Sequence, residues 1–537
     1  MADQSDLRVL ICEPLADAGV AYLKERFQVD DGVGWSKAEL LERVAPYDAV
    51  VVRSATKVTA EFIDKAVNLK VVGRAGTGVD NVDVPAATRR GIIVCNAAGS
   101  NSLSAAEHTI ALIMAQARNV APAHAALVDG RWERSKYGGI EVDGKTLGIL
   151  GFGRIGQLVA ERARGLGMHV VAYDPFVADA RYREMGVDKA ETPDDVYAAA
   201  DFITLHLAST PETKGFVNTD AFAKMKPGAR LINVGRGDLV DTAALVDALT
   251  NGTLGGAGVD VFPEEPCTDS PLFGLANVVV TPHLGASTAE AQDRAGVVVA
   301  EQVAAALTGG VVTSAVNIPA VGPEALATLG PFLPAAQHLG ALLTALAGGV
   351  DDTISVEYAG EIVEQDTRLL TATVAVGALA GHVDQPVNVV NAMSLAEERG
   401  IRFDVRTSAE SPAYRSVITL STGDVSVGGS TVGVTARPRL VSAFGHPLEI
   451  EMAPHMAFFR NKDVPGMIGK VGTVLGDEGV NVASMAVSPG DGDLAVIAIT
   501  VSDEVPDDAQ QRIRAIEGFQ QAWFVNLPMA NGNGGAA

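Results

Sequence analysis

Three short segments carry side chains that together can move a proton and hold an anion: INVGRGDLVD with Arg236, VDVFPEEP with Glu265, and TPHLGAST with His283. A histidine is a general acid/base near neutral pH, and an arginine binds and polarises an anionic or carbonyl oxygen. A carboxylate on the far ring nitrogen fixes the imidazole tautomer and favours its protonated form. Such a set suits a hydroxyl or carbonyl that exchanges hydride with a nicotinamide. Singly, each residue has a plainer role: a loop histidine after Thr-Pro, a surface carboxylate, a solvated cation.

A fourth segment supplies the nucleotide. KTLGILGFGRIGQLVAERARGLGMHVVAYDPF, Lys145 to Phe176, holds Gly151, Gly153 and Gly156 in G-x-G-x-x-G spacing, a weak signal alone in a chain with 57 glycines. Context strengthens it. Leu147 to Leu150 predicts a buried strand, and Ile155, Leu158, Val159, Ala163 and Leu166 recur at helical spacing. His169 to Tyr173 predicts the next strand, ending at Asp174. Glycines at a strand-to-helix turn let the backbone approach a pyrophosphate at the helix N-terminus, while Asp174 can accept both ribose hydroxyls and repels a 2′-phosphate. The expected cofactor is therefore NAD. A ligand-free tight turn is the plainer alternative.

Substrate charge is legible further upstream. VVRSATKV offers Arg53, Ser54 and Lys57, and GRAGTGVDNVD offers Arg74 with Gly76 and the N–H groups around Thr77 and Gly78. Together they predict a site for a small, multiply anionic acid. Arg131, Arg134 and Lys136 in RWERSKYGG form another basic cluster, read equally well as a solvated loop.

The elements that must position these groups follow from periodicity. Strand-like runs RVLIC, AVVVRS, LKVVGRAG and GIIVCN alternate with helical segments up to about Cys95, and FITLHL, ARLINVG, GAGVDVF and NVVVTPHLG continue the pattern beyond it. Two doubly wound α/β lobes with a cleft between them are expected: residues 1–95 with 285–316 as the substrate lobe, and 96–284 as the nucleotide lobe. Residues 317–454 change character to an alanine-rich helical stretch followed by β-rich segments, an α+β module. From 455 to 530 the order strand, helix, strand, strand, helix, strand predicts a ferredoxin-like unit, and the NGNGGAA end is expected to fray. At 65 acidic against 41 basic residues and a formal charge of -24, a nucleic-acid surface is not expected. Three unpaired cysteines and the absence of an apolar leader or spanning segment point to a reducing, cytoplasmic setting without metal site or membrane contact.

These residues resemble the D-2-hydroxyacid dehydrogenase family, in the long form that adds an intervening domain and a C-terminal ACT domain, and the resemblance spans nearly the whole chain. It implies that Arg236, Glu265 and His283 are catalytic. It places cofactor contacts at Thr77, Arg154, Ile155, Asp174, His206, Val234, Gly235, Arg236, Asp260, His283, Leu284, Gly285 and Ala286, and substrate at Arg53, Ser54, Arg74 and Gly76. The implied reaction is NAD-dependent oxidation of 3-phosphoglycerate at the entry to serine biosynthesis, with 2-oxoglutarate reduction on the side, in a homo-oligomer (dimer or tetramer). The final segment, HMAFFRNKDVPGMIGKVGTVLGDEGVNVASMAV, resembles the amino-acid-sensing ACT module, which implies L-serine as effector at Asp463 and Asn481. Asn461 stands where some serine-sensing relatives place a histidine, and Asp463 could instead cap the following helix. Two alternatives share parts of the pattern. A glyoxylate or hydroxypyruvate reductase has the same trio but ends near the second lobe, and an NAD-sensing corepressor lacks the C-terminal unit.

Overall fold

The computed structural model describes residues 6–527 except 311, 320–321, 350–351, 384, 412, 434–435 and 490–493, so the NGNGGAA end lies outside the described residues. Apolar runs without alternation, such as AVVV and FITL, are buried along their whole length, as strands covered on both faces must be. They build two parallel sheets. The first contains β1 (Arg8–Ile11), β2 (Gln28–Asp31), β3 (Ala49–Val52), β4 (Val71–Arg74) and β5 (Ile93–Asn96) in the order β2-β1-β3-β4-β5. The second contains β6 (Thr146–Leu150), β7 (His169–Tyr173), β8 (Asp188–Lys189), β9 (Phe202–Leu205), β10 (Ala229–Asn233), β11 (Leu254–Val259) and β12 (Val278–Val280) in the order β12-β11-β10-β9-β6-β7-β8.

Two long helices cross between them. Ser102–Ala117 leaves the first sheet and packs on β10 and β11, and Ala289–Thr308 returns to cover β4 and β5. That return completes a core in which Val9, Ile11, Val51 and Val71 meet Ala295, Val299 and Val303. The chain is then stitched along the edge strand β5: Asn317 Oδ1 accepts the Val94 N–H at 2.9 Å, the Val316 N–H donates to the Val94 carbonyl at 2.7 Å, and Ser314 Oγ donates to the Asn96 carbonyl at 2.5 Å.

The third sheet is mixed: β13 (Thr353–Gly360), β14 (Arg402–Ser408), β15 (Ser416–Thr422), β16 (Val425–Val432), β17 (Arg437–Ala443) and β18 (His446–Glu451), with only the β13–β14 pair parallel. Helices Leu333–Ala347 and Arg368–Leu379 pack together beside it. The fourth, antiparallel sheet orders β19 (His455–Lys462), β20 (Val482–Pro489), β21 (Leu494–Val501) and β22 (Phe519–Asn526) as β20-β21-β19-β22, with two intervening helices in the expected βαββαβ sequence. Its strands contribute Phe459, Ile497 and Ile499 to a core with those helices. They contribute Met456, Phe458, Val496 and Ala498 to a core shared with Leu339 and Ile450 of the preceding module. Among the described residues no helix is long and apolar enough to cross a membrane, and no His/Cys/Asp/Glu group could hold a metal ion.

Candidate active site

In the second sheet the chain reverses direction of growth between β6 and β9, and the loops after those strands open into the crevice where doubly wound sheets bind ligands. Gly151, Gly153 and Gly156 divide three tasks there. Gly151 turns with φ +94°, and a Cβ on it would stand 2.6 Å from the His206 carbonyl carbon. A Cβ on Gly156 would collide with the Gly151 oxygen, so only glycine lets helix Arg154–Gly165 approach β6. A Cβ on Gly153 meets nothing within 4 Å; this residue caps the helix from an open face with no side-chain bond to its first N–H groups. That open, uncapped helix N-terminus fits a pyrophosphate. Arg154 reaches across to lie against Gly99 at the crossing between lobes, and Ile155 is half-buried beneath the turn.

Asp174 follows β7. Its Oδ2 accepts the Phe152 N–H and its Oδ1 the Phe176 N–H, both at 2.9 Å, which fixes the carboxylate beside the glycine turn with further lone pairs available. His206 sits after β9 with Nε2 3.1 Å from Thr204 Oγ1, and burial pushes its pKa down to about 4, so the ring is neutral.

The catalytic candidates converge from three strand ends. His283 Nδ1 lies 2.6 Å from Glu265 Oε2, and Glu265 Oε1 accepts the Phe262 N–H at 2.9 Å. Burial raises the Glu265 pKa, but its bonds from His283 and Phe262 outweigh this and hold the carboxyl below its usual range. His283 itself has φ +55°, a left-handed conformation uncommon for a residue with a Cβ. Asp260 is what holds that turn. Fully buried, it accepts from Thr281 Oγ1 (2.6 Å) and from the N–H groups of Leu284 (2.7 Å) and Gly285 (2.9 Å), and its own carbonyl accepts the His283 N–H at 2.8 Å. His108, from helix Ser102–Ala117, adds Nε2 at 3.2 Å from Asp260 Oδ1. Burial pulls the Asp260 pKa up; these donors reverse it to a net lowering. Ala286 is half-buried just beyond.

Arg236 leaves β10 through the Val234–Gly235 turn, where Asn233 Oδ1 accepts the Gly235 N–H (3.0 Å) and Asn233 Nδ2 donates to the Arg236 carbonyl (2.8 Å). Its guanidinium crosses to the first lobe, 3.4 Å from exposed Asp80 and beside Gly78. Arg74 lies over Gly76, with Nε buried and unpartnered. Burial and then the like charges of Arg236 and Arg53 hold its pKa below the ordinary value, against Asp80 and Glu13. Three arginines thus share one small region. Thr77 is fixed by Asn101 Oδ1 at 2.7 Å and, through its carbonyl, by Asn96 Nδ2 at 2.5 Å. Ser54 is exposed beside Arg53.

Not every candidate joins this cleft. Arg131 and Lys136 pair locally with Glu133, and Arg131 also with Asp129, leaving that cluster largely neutralised. Asp463 and Asn481 are exposed in the fourth unit. Helix Met467–Asp477 is capped by Gly466 at φ +91° without a side-chain bond, so Asp463 is not its cap. Asn461, at the end of β19, is 2 % exposed and its Oδ1 has no hydrogen-bond partner. Sequence reasoning missed His108, Asn96 and Asn233. The available signal was a lone polar side chain inside or just after an otherwise apolar element.

Comparison with known proteins agrees with this architecture. The family described as D-isomer specific 2-hydroxyacid dehydrogenase, NAD binding domain, matches residues 110–285; the D-3-phosphoglycerate dehydrogenase intervening domain matches 328–443, and the ACT domain 455–518. The chain is 44% identical over 525 residues to D-3-phosphoglycerate dehydrogenase of Mycobacterium leprae, covering 97% of this chain and 99% of that protein. It is 38% identical over 524 residues to the enzyme of that name from Methanocaldococcus jannaschii, covering 97% and 100%. Among solved structures, the TT0316 protein of Thermus thermophilus is similar with a TM-score of 0.53 and 37% identity, covering 58% of this chain and 100% of that one.

Proposed function

The chain belongs to the D-3-phosphoglycerate dehydrogenase family, and we propose from that membership how the cleft's own residues divide the work. The activity is NAD-dependent oxidation of 3-phospho-D-glycerate to 3-phosphooxypyruvate, the first step of L-serine biosynthesis. The glycine turn at Gly151, Gly153 and Gly156 and the Asp174 carboxylate would hold NAD, which would supply a hydride acceptor for the substrate's C2. His283 takes the proton of the 2-hydroxyl on Nε2, and Glu265, on Nδ1, stabilises the charge the ring gains. In the reverse direction the same ring returns that proton. Arg236 holds the substrate carboxylate next to the reacting carbon, displacing its loose link to Asp80, and Arg53, Ser54, Arg74 and the N–H groups near Gly76 hold the remaining anionic oxygens.

The observation that carries this reading is the convergence of Arg53, Arg74 and Arg236, with one buried guanidinium nitrogen unpartnered, where Arg236 follows β10 and the histidine–carboxylate pair follows the neighbouring strands β11 and β12. Substrate-dependent NADH formation with the wild-type protein, His283→Ala and Arg74→Ala tests it. His283→Ala should lose about two to four orders of magnitude in kcat with NADH binding kept, and Arg74→Ala should act mainly on KM. A His283→Ala variant with near-normal kcat ends the assignment. Regulation belongs to the last unit, where L-serine is expected on Asp463 and Asn481; the buried, unpartnered Asn461 Oδ1 supports a polar ligand there. These units act in a homo-oligomer in this reading.

A further inference from the structure

The loop that carries Arg53 and Ser54 is scaffolded by hydrogen bonds to the side chains of Glu13 and Asn81. β1 is the first strand of its sheet and lies between β2 and β3, so the order of the sheet reverses between β1 and β3, and the loops after these two strands meet at the switch point. Glu13 follows β1; residues 53–56 follow β3. The Glu13 carboxylate accepts three backbone N–H groups of that loop: Arg53 at 2.9 Å and Thr56 at 2.8 Å on Oε1, and Ala55 at 3.1 Å on Oε2. Asn81 Nδ2 closes the other side by donating to the carbonyls of Arg53 (2.7 Å) and Thr56 (2.6 Å), and Arg53 Nη1 donates to the Pro14 carbonyl at 3.3 Å. Among the described bonds, the one N–H of these four residues without a partner is that of Ser54, which is exposed toward solvent.

The sign of the charge makes this arrangement informative. A carboxylate beside Arg53 and Arg74 weakens the positive field that draws an anionic substrate, so for affinity alone this position favours a neutral side chain. A carboxylate, however, is the side chain that accepts three converging N–H groups at once with charge-assisted strength. We propose that Glu13 is a positioning residue for substrate binding: by gathering the N–H groups of Arg53, Ala55 and Thr56 it bends the loop so that the Ser54 N–H and the Arg53 side chain face the anionic substrate. It touches neither substrate nor cofactor. The assignment rests on the reading of Arg53 and Ser54 as substrate ligands.

The test compares Glu13→Ala, Glu13→Gln and Arg53→Ala in the full-length protein. Initial rates are measured against 3-phosphoglycerate at saturating NAD, with NADH binding by fluorescence titration and thermal unfolding as controls. Glu13→Ala should raise KM about tenfold, the loss of one or two charge-assisted bonds' worth of preorganisation, with kcat and NADH affinity within about twofold of wild type. Glu13→Gln keeps one acceptor oxygen and should fall between. In the Arg53→Ala background Glu13→Ala should cost less than it does in wild type, because a misplaced arginine and an absent one are equivalent to the substrate and only the Ser54 N–H remains to be lost. If Glu13→Ala is too unstable to assay, Glu13→Gln decides the matter. Unchanged KM in a folded Glu13 variant, with Arg53→Ala impaired, overturns the role of Glu13 alone. Unchanged KM in Arg53→Ala removes the substrate face itself, and this proposal with it.

Discussion

Replacing Asp174 should change which nucleotide the protein uses, and the size of the effect follows from how the carboxylate is held. Each oxygen already accepts one backbone N–H at 2.9 Å, so the group cannot swing aside, and each keeps a lone pair for one of two vicinal ribose hydroxyls. Two such bonds to a charged acceptor at a half-exposed site contribute about 3 kcal/mol after competition with water. A 2′-phosphate, about -2 in charge and about 5 Å away, is opposed by about 2 kcal/mol at an effective dielectric constant near 60. NADP keeps the 3′-hydroxyl and so forfeits about half of that 3 kcal/mol; with the repulsion this is about 3.5 kcal/mol, which makes NADP worse than NAD by roughly two to three orders of magnitude. Asp174→Ala should weaken NADH about a hundredfold and relieve the repulsion of NADPH. Asp174→Asn keeps the shape and one acceptor, and should narrow the preference while costing less NADH affinity. Fluorescence titration of NADH and NADPH, with kcat/KM for both oxidised cofactors, reads this directly. Added salt should narrow the wild-type gap by screening the phosphate term. A wild-type protein that uses both cofactors within tenfold, or an Asp174→Asn variant with unaltered preference, refutes the reasoning.

Three further outcomes are expected. Glu265→Gln removes the charged partner that meets His283 Nδ1 at 2.6 Å, so kcat should fall by about tenfold or more with NADH binding kept; an unchanged kcat detaches Glu265 from the pair. His206, with a folded pKa of about 4 against an ordinary value near 6.5, adds stability that is full above about pH 6.5 and is lost as pH falls toward 4, because only the unfolded ring takes up the proton there. The difference in unfolding free energy between wild type and His206→Gln should therefore shrink by about 2 kcal/mol across that window, and a flat difference contradicts the neutral ring. Asn481→Ala and Asn461→Ala should blunt inhibition by L-serine in turnover assays without altering NADH binding; full sensitivity in both places the effector elsewhere.

How far residue pattern leads to structure differs by element. Most of the second sheet was legible because strands such as β6, β7 and β9 are largely apolar runs: His169–Tyr173 ends at Asp174 as expected, and the helix after the glycine turn occupies Arg154–Gly165. The meeting of His283 with Glu265 was legible from side-chain chemistry, which leaves few other partners for that pair. β2 and β8 were not, since QVDD is polar and largely unburied and DK is two residues long. Glu13 and Asn81 escaped notice because each looks like an ordinary polar residue after a strand or turn. Their partners lie tens of residues away, and only the crossing of β1 past β3 brings them together. His108 is similar: one polar ring on the alanine-rich helix AAEHTIAL, whose partner Asp260 belongs to a distant strand end. Chain-distant hydrogen bonds of this kind leave no periodicity.

The helix Ala289–Thr308, which returns to cover β4 and β5, has a consequence for the order in which the protein is made. Val9, Ile11, Val51 and Val71 wait for Ala295, Val299 and Val303 to close over them. Those late residues emerge from the ribosome only after the whole second sheet. At typical elongation rates the interval between completing β5 and translating Val303 is about 10–40 s. During that time the nascent first sheet presents an apolar face covered only in part, by Val20, Leu23 and Phe27, while the nucleotide lobe assembles beyond it. The lobe translated first is thus the second to finish folding, and the nascent chain is most exposed to chaperones and to misassociation through that face.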